Sequence, residues 1–93
     1  MQISIGELLN KKTNNIIDIR SQYEYNLGHI PNARYISSIE LLMNTDRYLN
    51  KGEVYYIYCS SGNRSRSIVN KLNNKGYKTV NIIGGYNNYL LRG

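Results

Sequence analysis

The 93-residue sequence is poor in the residue types that crosslink or stiffen a chain. It has one cysteine and one proline, and it contains neither tryptophan nor phenylalanine. A single cysteine excludes a disulfide within the chain, which is typical of a reducing compartment. The chain also offers no second thiol that could resolve a bond formed at Cys59. Whatever binds covalently to this sulfur must therefore leave to another molecule.

Long hydrophobic runs are also missing. No apolar stretch approaches the roughly 20 residues that a membrane-spanning helix needs, and the N-terminus lacks the basic and hydrophobic blocks of a secretion signal. We therefore predict a cytoplasmic protein with no membrane partner. The length predicts one domain, over residues 1–93, with a single modest core.

Acidic residues are scarce relative to basic ones, 6 against 12, which gives a net charge of +6. The lysines and arginines are spread along the chain without a dense block, and the number of tyrosines, 10, does not by itself indicate base stacking. We therefore do not expect a nucleic-acid surface. A general attraction for small anions is the simpler expectation.

The only cysteine, Cys59, directly follows the apolar run Val54–Tyr58. Small residues come next, and a helical pattern then runs from Ser65 to Lys75, so the segment predicts a strand, a tight loop and a helix. The N–H groups of such a loop converge on the sulfur and meet the positive end of the helix. This context predicts an acidic, nucleophilic thiol rather than a small buried hydrophobe.

The loop after Cys59 has the composition of an anion-binding loop. Gly62 permits a backbone conformation with positive φ, and the guanidinium of Arg64 carries a fork of donors. Helix capping is assigned to Ser65, which opens the predicted helix. The predicted substrate-binding residues are Ser60, Ser61, Gly62, Asn63 and Arg64.

Strands alternate with short helices along the chain. The predicted strands are Gln2–Ser4, Asn15–Ile19, Ala33–Ile36, Glu53–Tyr58 and Thr79–Ile83. Capping-box sequences begin at Ser4, Ser21 and Ser37, and the first helix is expected to run through Leu9. Gly76 stands where a C-terminal cap would end the helix that precedes it. This order predicts an α/β fold, a small parallel sheet with helices on both faces, whose ligands bind at the carboxyl ends of the strands.

Three motifs, in order and spacing, resemble those of the rhodanese-like family and cover nearly the whole chain. The motifs are Asp18-Ile19-Arg20 with Tyr23-Glu24-Tyr25 and Gly28–Ala33, the loop Cys59–Arg64, and Val80–Tyr89. The resemblance implies a sulfurtransferase in which Cys59 takes the outer sulfur of a small anionic donor such as thiosulfate. Cys59 then becomes a persulfide that passes its sulfur to a thiol or protein acceptor. The resemblance implies no metal and no organic cofactor.

Other residues of these motifs are expected to support the loop. Asp18 and Arg20 are predicted to form an ion pair beside it, and Gly84 with Gly85 is predicted to let the backbone turn close to the sheet end. In the family the Gly-His-Ile segment is chiefly a structural turn. We therefore expect His29 to be part of the scaffold rather than a general base.

Two other functions stay open. A cysteine-dependent phosphatase or arsenate reductase would use the same thiolate on an oxyanion, but C-x5-R phosphatases place five residues between cysteine and arginine. Only four residues separate Cys59 from Arg64, and the smaller ring of N–H groups suits one sulfur atom better than a phosphoryl group. A persulfide carrier or interaction module would instead hold the sulfur for one partner without turnover.

Overall fold

Five strands and six helices occupy residues 1–92, which the computed structural model describes. In chain order they are β1 (Gln2–Ile3), α1 (Ile5–Lys11), β2 (Ile16–Asp18), α2 (Gln22–Leu27), β3 (Ala33–Tyr35), α3 (Ser38–Met43), α4 (Thr45–Tyr48), β4 (Val54–Tyr58), α5 (Asn63–Asn74), β5 (Lys78–Ile82) and α6 (Gly85–Leu91). All strand pairs are parallel, and the order across the sheet is β1-β5-β4-β2-β3. The predicted parallel sheet is confirmed, with β4 at its centre.

Alternation of side chains along β4 divides the interior into two cores. Tyr55 and Ile57 pack on the same face as Cys59, with residues of α3 and α5. Tyr56 and Tyr58 pack on the opposite face, with residues of α1 and α6. Burying each large apolar side chain contributes about 1.5–3 kcal/mol, and a parallel sheet gains this on both faces. Helices on both faces are therefore confirmed.

The longest helix, α5, lies over one face of the sheet through Ile68, Val69 and Leu72, which are buried. It begins at Asn63, two residues before the predicted start. Its C-terminal end agrees with the prediction, because Gly76 follows it with φ of +94° and donates its N–H to the Asn73 carbonyl oxygen at 3.0 Å.

The helix starts confirm two of the three capping boxes. The side chains of Ser4 and Ser21 each accept a hydrogen bond from the backbone N–H of the glutamate three residues later. The carboxylate of that glutamate accepts a hydrogen bond from the serine N–H in turn. Ser37 accepts the Glu40 N–H, but the Glu40 carboxylate accepts hydrogen bonds from Asn44 and Tyr48 instead. The third box is therefore only half formed.

Strand bounds agree with the predictions to within one residue at each end, whereas two helices besides α5 differ. The first helix runs to Lys11 rather than Leu9, and α4 was not predicted because four residues are too short for a periodic pattern. At the carboxyl edge of the sheet, Asp18 of β2 lies in register with Tyr58 of β4. The segments that follow these two strands are thereby brought together.

Candidate active site

Cys59 lies directly after β4, and only 6% of its surface is exposed. Its Sγ accepts the backbone N–H groups of Gly62, at 3.2 Å, and Ser65, at 3.4 Å. The Ser65 hydroxyl oxygen is also 3.4 Å from Sγ. Because α5 has no capping side chain, the N–H groups of its first turn are available to the sulfur.

Gly62 holds the turn between the cysteine and α5. Its φ is +94°, a conformation that side-chain-bearing residues rarely adopt, and a Cβ there would lie 3.0 Å from the Gly84 nitrogen. The Gly62 carbonyl oxygen accepts a hydrogen bond from Nδ2 of Asn81 in β5, at 3.2 Å. The loop is therefore fixed against the neighbouring strand.

The environment of Cys59 favours its charged form. Burial by itself acts to raise the pKa of the thiol, but hydrogen bonds from Ser65, Gly62 and Ser61 to the sulfur outweigh it and lower the pKa below its ordinary value. This direction agrees with the acidic thiol expected from the sequence. A larger thiolate fraction at neutral pH makes the sulfur a better nucleophile.

A cavity of about 320 Å³ opens onto the sulfur. Its lining residues are Arg20, Glu24, Cys59, Ser60, Ser61, Asn63 and Arg64. Four of the five predicted substrate-binding residues therefore face this cavity. The fifth, Gly62, is not among the lining residues but donates its backbone N–H to the sulfur. Two guanidinium groups, those of Arg20 and Arg64, and the carboxylate of Glu24 line the walls.

Asp18 and Arg20 form a buried ion pair beside the loop, as the sequence predicts. Arg20 Nη2 lies 2.7 Å from Asp18 Oδ2 and also donates to the Gly28 carbonyl oxygen at 2.6 Å. Tyr58 donates its hydroxyl to the same carboxylate at 2.8 Å, and burial raises the pKa of this phenol well above its usual value. Arg20 also lies over the ring of Tyr86, 4.1 Å from its centroid.

Gly84 and Gly85 bring α6 against the cysteine loop. The φ values are +74° and +58°, and a Cβ on Gly85 would collide with the Cys59 carbonyl oxygen. That oxygen accepts the Tyr86 N–H at 2.9 Å. The close backbone turn predicted for the glycine pair is present at this end of the sheet.

A sequence profile described as "Rhodanese-like domain" matches residues 4–92. The chain belongs to the rhodanese-like domain family. Among its relatives, a putative sulfurtransferase of Bacillus subtilis, YtwF, is 36% identical over 70 residues, which are 75% of this chain and 67% of YtwF. The thiosulfate sulfurtransferase GlpE of Coxiella burnetii is 33% identical over 81 residues, 86% of this chain and 75% of GlpE.

A solved structure supports the same family relationship. The rhodanese-related protein of Thermoplasma volcanium superposes with a TM-score of 0.90 at 29% identity, over 99% of this chain and 92% of that one. The fold is therefore that of a rhodanese-like domain, and the relatives above carry sulfurtransferase names. Within residues 1–92, no helix is long and apolar enough to cross a membrane.

The capping role predicted for Ser65 in this rhodanese-like domain is wrong. Ser65 does not cap α5, because Gly62 occupies the N-cap position and Ser65 is the third residue of the helix. The hydroxyl of Ser65 is fully buried and lies between Cys59 and Asn81. The helix starts two residues earlier than expected because the left-handed conformation of Gly62 already turns the chain into it.

His29 lies outside the cavity. Its Nδ1 is 2.8 Å from the Tyr25 carbonyl oxygen, and its ring stacks on that of Tyr25 with centroids 3.8 Å apart. These contacts are those of a turn held in place, and they support the scaffold role expected for His29.

Two residues near the sulfur received no site role in the sequence analysis. Glu24 lines the cavity and accepts a weak hydrogen bond from the Ser60 hydroxyl at 3.4 Å, and its place in the first motif was the available signal. Asn81 reaches the loop through Gly62 and Ser65. An amide inside an apolar strand is unusual. The position of Asn81 between Val80 and Ile82 was therefore the signal that could have identified it.

Proposed function

We propose that this rhodanese-like domain is a sulfurtransferase that uses Cys59 as its nucleophile and thiosulfate, or a similar sulfane, as its donor. The thiolate attacks the outer sulfur, a new S–S bond forms, and the bond between the two donor sulfurs breaks. Sulfite leaves with that electron pair, and Cys59 remains as a persulfide. A thiol or other thiophilic acceptor then attacks the outer sulfur of the persulfide and regenerates the thiolate.

The observation that carries this proposal is the set of donors around one sulfur atom. The N–H groups of Gly62 and Ser65 point at Cys59 Sγ from the uncapped start of α5. Such donors stabilise an anion without reorganising during the reaction. These donors stabilise the thiolate before sulfur transfer, and the same loop lies beside the persulfide after the transfer.

The arginines of the cavity fit an anionic donor. Thiosulfate is a dianion that must approach a thiolate, so positive charge is needed to offset the repulsion between them. Arg20 and Arg64 line the cavity, and the exposed Arg64 is free of the ion pair that engages Arg20. We assign to Arg64 the holding of the donor.

The geometry supports phosphoryl chemistry less well. The N–H groups of the loop converge on Sγ itself, and four residues between Cys59 and Arg64 leave a small ring. A phosphoryl group in transfer presents three equatorial oxygens, each of which needs a donor. Sulfur transfer needs donors at one atom only, and it needs no general base once the thiol is ionised.

The test is the intact mass of the purified protein before and after incubation with thiosulfate. We expect the mass to increase by one sulfur atom, with release of one equivalent of sulfite, and the increase to disappear after treatment with a thiol or cyanide. Absence of any sulfur on Cys59 would contradict the proposal. A persulfide that forms but does not turn over with small acceptors would instead favour a carrier, and fast hydrolysis of an aryl phosphate would favour a phosphatase.

A further inference from the structure

The hydroxyl of Ser65 lies between two groups that compete for its single proton. Ser65 Oγ is 2.5 Å from Oδ1 of Asn81 and 3.4 Å from Sγ of Cys59. Both Ser65 and Asn81 are buried, with 0% and 2% of their surfaces exposed. With one proton, the hydroxyl donates to one neighbour and can only accept from the other.

The orientation of the Asn81 amide decides which neighbour receives the proton. Its Nδ2 donates to the Gly62 carbonyl oxygen at 3.2 Å. The flipped amide would place two carbonyl oxygens against each other, so Oδ1 must face Ser65. An amide oxygen cannot donate. The short contact therefore has Ser65 as donor, and its lone pairs are left for Cys59.

We propose that Asn81 positions the Ser65 hydroxyl. While the sulfur is neutral, the Asn81 amide oxygen holds the hydroxyl proton away from Cys59. When the sulfur is charged, the hydroxyl donates this proton to the sulfur in a hydrogen bond instead. In the neutral state the S–H of Cys59 donates to Ser65 Oγ, and Ser65 donates to Asn81. After ionisation the O–H bond rotates towards the thiolate, and the hydrogen bond to Asn81 is lost. No covalent bond is made or broken at Ser65.

This arrangement deepens the proposed function, on which its place in sulfur transfer rests. The thiolate accepts the Ser65 O–H, whereas the thiol donates its S–H to the same oxygen, so the direction of this hydrogen bond follows the charge of the sulfur. Asn81 therefore opposes ionisation, because the thiolate gains the hydroxyl only at the expense of the Ser65–Asn81 hydrogen bond. Removing the Asn81 amide should make the thiol more acidic.

Other charged groups surround the cysteine and act in the background. Arg20 and Glu24 face the cavity from the segment after β2, and Arg64 faces it from α5. Asp18 is buried against Arg20. All four remain in the variants below, so differences among the variants report the hydrogen bonds of Ser65 and Asn81.

The test is a double-mutant cycle of wild type, Asn81→Ala, Ser65→Ala and the double variant. In each protein the pH dependence of iodoacetamide alkylation and of thiolate absorbance gives the midpoint of Cys59 ionisation, with no sulfur donor present. We expect Asn81→Ala to lower the midpoint by about one pH unit and to have no effect in the Ser65→Ala background. Because the readout needs no sulfur transfer, its result is distinct from the persulfide test.

A matched control removes a different asparagine that also joins α5 to β5. The Asn73 side chain accepts the Thr79 N–H at 2.8 Å and donates to the Thr79 carbonyl oxygen at 3.1 Å. Asn73→Ala should leave the Cys59 midpoint unchanged. The proposal is overturned if Asn81→Ala raises or does not change the midpoint, or lowers it equally without the Ser65 hydroxyl, since the effect would then not depend on Ser65.

A second measurement tests the proposal even if Asn81→Ala fails to fold. In wild type, the side-chain amide resonances of Asn81 should titrate with Cys59 in NMR spectra, because Oδ1 loses its donor when the sulfur ionises. In Ser65→Ala most of this titration should vanish, leaving only the direct field of the thiolate. An equal titration in both proteins would overturn the proposal.

Discussion

Two strand-to-helix connections leave the same edge of the sheet, and their helices use their N-termini differently. β2 leads into α2, where Ser21 and Glu24 close a capping box. β4 leads into α5, whose N-cap is Gly62 and which has no side-chain cap. A capping box occupies the N–H groups of the N-cap and of the third helical residue, so fewer donors are left for a ligand. At α5 the sulfur of Cys59 takes the place of the capping oxygen.

The charges follow the same division. The first turn of α2 contains Glu24, whose pKa is lowered chiefly by its hydrogen bond from the Ser21 backbone. The first turn of α5 contains no acidic residue. A carboxylate there would compete with the thiolate for the same N–H groups. The connection that contains the candidate nucleophile, Cys59, is therefore the one whose helix lacks a capping side chain.

The largest effect on activity is expected from removing the sulfur that accepts the N–H groups at the start of α5. Cys59→Ser should lower thiosulfate-dependent sulfur transfer by about 1000-fold or more, because a serine hydroxyl is not ionised at neutral pH. The fold should survive, since the serine oxygen can accept the same N–H groups. Steady-state assays with circular dichroism check both points, and substantial turnover in the folded variant would exclude Cys59 as the nucleophile.

The next effect concerns the charge at the mouth of the cavity. Arg64→Ala should lower kcat/KM for thiosulfate by roughly tenfold to a hundredfold, the effect of one lost charge-assisted contact. Arg64→Lys keeps the charge without the planar fork and should restore only part of the loss.

Arg66, one residue beyond Ser65 on the exposed side of α5, provides the matched control. Arg66→Ala removes the same charge outside the residues that line the cavity and should change kcat/KM much less. Equal losses in the two variants, or a loss at Arg64 that disappears at high salt, would assign the effect to long-range attraction.

A methyl group at Gly62 should disturb the uncapped helix start itself. Gly62→Ala must adopt a left-handed conformation, which costs about 1–2 kcal/mol, and its Cβ lies 3.0 Å from the Gly84 nitrogen. We expect lower stability in urea and a higher Cys59 pKa, because the Gly62 N–H moves from the sulfur. Gly52→Ala is the control, since the nearest contact there is the flexible Asn50 side chain and little change is expected.

The pH dependence of alkylation in the wild-type protein tests directly whether the helix N–H groups stabilise the charged sulfur. Alkylation of Cys59 should follow the thiolate and show a midpoint below the value of about 8.5 for a free cysteine, which the urea-unfolded chain should recover. The folded pKa is the lower one, so ionisation stabilises the fold fully above about pH 8.5 and this contribution is lost as pH falls through the folded pKa. A folded midpoint at or above the unfolded one would contradict the assignment.

The smallest effect is expected at the conventionally capped helix. Ser21→Ala should destabilise the protein by about 1 kcal/mol, the usual value of an N-cap, without changing the ionisation of Cys59. Thermal unfolding and the alkylation profile measure the two quantities. A shifted Cys59 midpoint in this variant would mean that the two connections are coupled, through Glu24 and Ser60.

Local patterns were sufficient to predict much of the fold. The strands were located from short β-branched or aromatic runs, and three helix starts from serine followed by glutamate three residues on. These signals rest on contacts between residues close in sequence. The helix start at Asn63 lacked such a signal, because Gly62 begins it through backbone conformation and not through a capping side chain.

The site divides in the same way. Cys59 and its loop were predicted from the order strand, small residues, helix, and the Asp18–Arg20 pair spans only two positions. Asn81 lies 16 residues from Ser65 and 19 from Gly62. No local pattern specifies that an amide in β5 reaches both, because the contact depends on how β5 pairs with β4.

The sequence alone predicts the candidate nucleophile, since the chain has one thiol and places it where a strand gives way to a helix. It also determined the alternation that buries both faces of β4. The groups that surround that thiol depend on the tertiary fold. Parallel pairing brings β2, β4 and β5 side by side, so Arg20, Cys59 and Asn81 meet at one edge although they are distant in the chain.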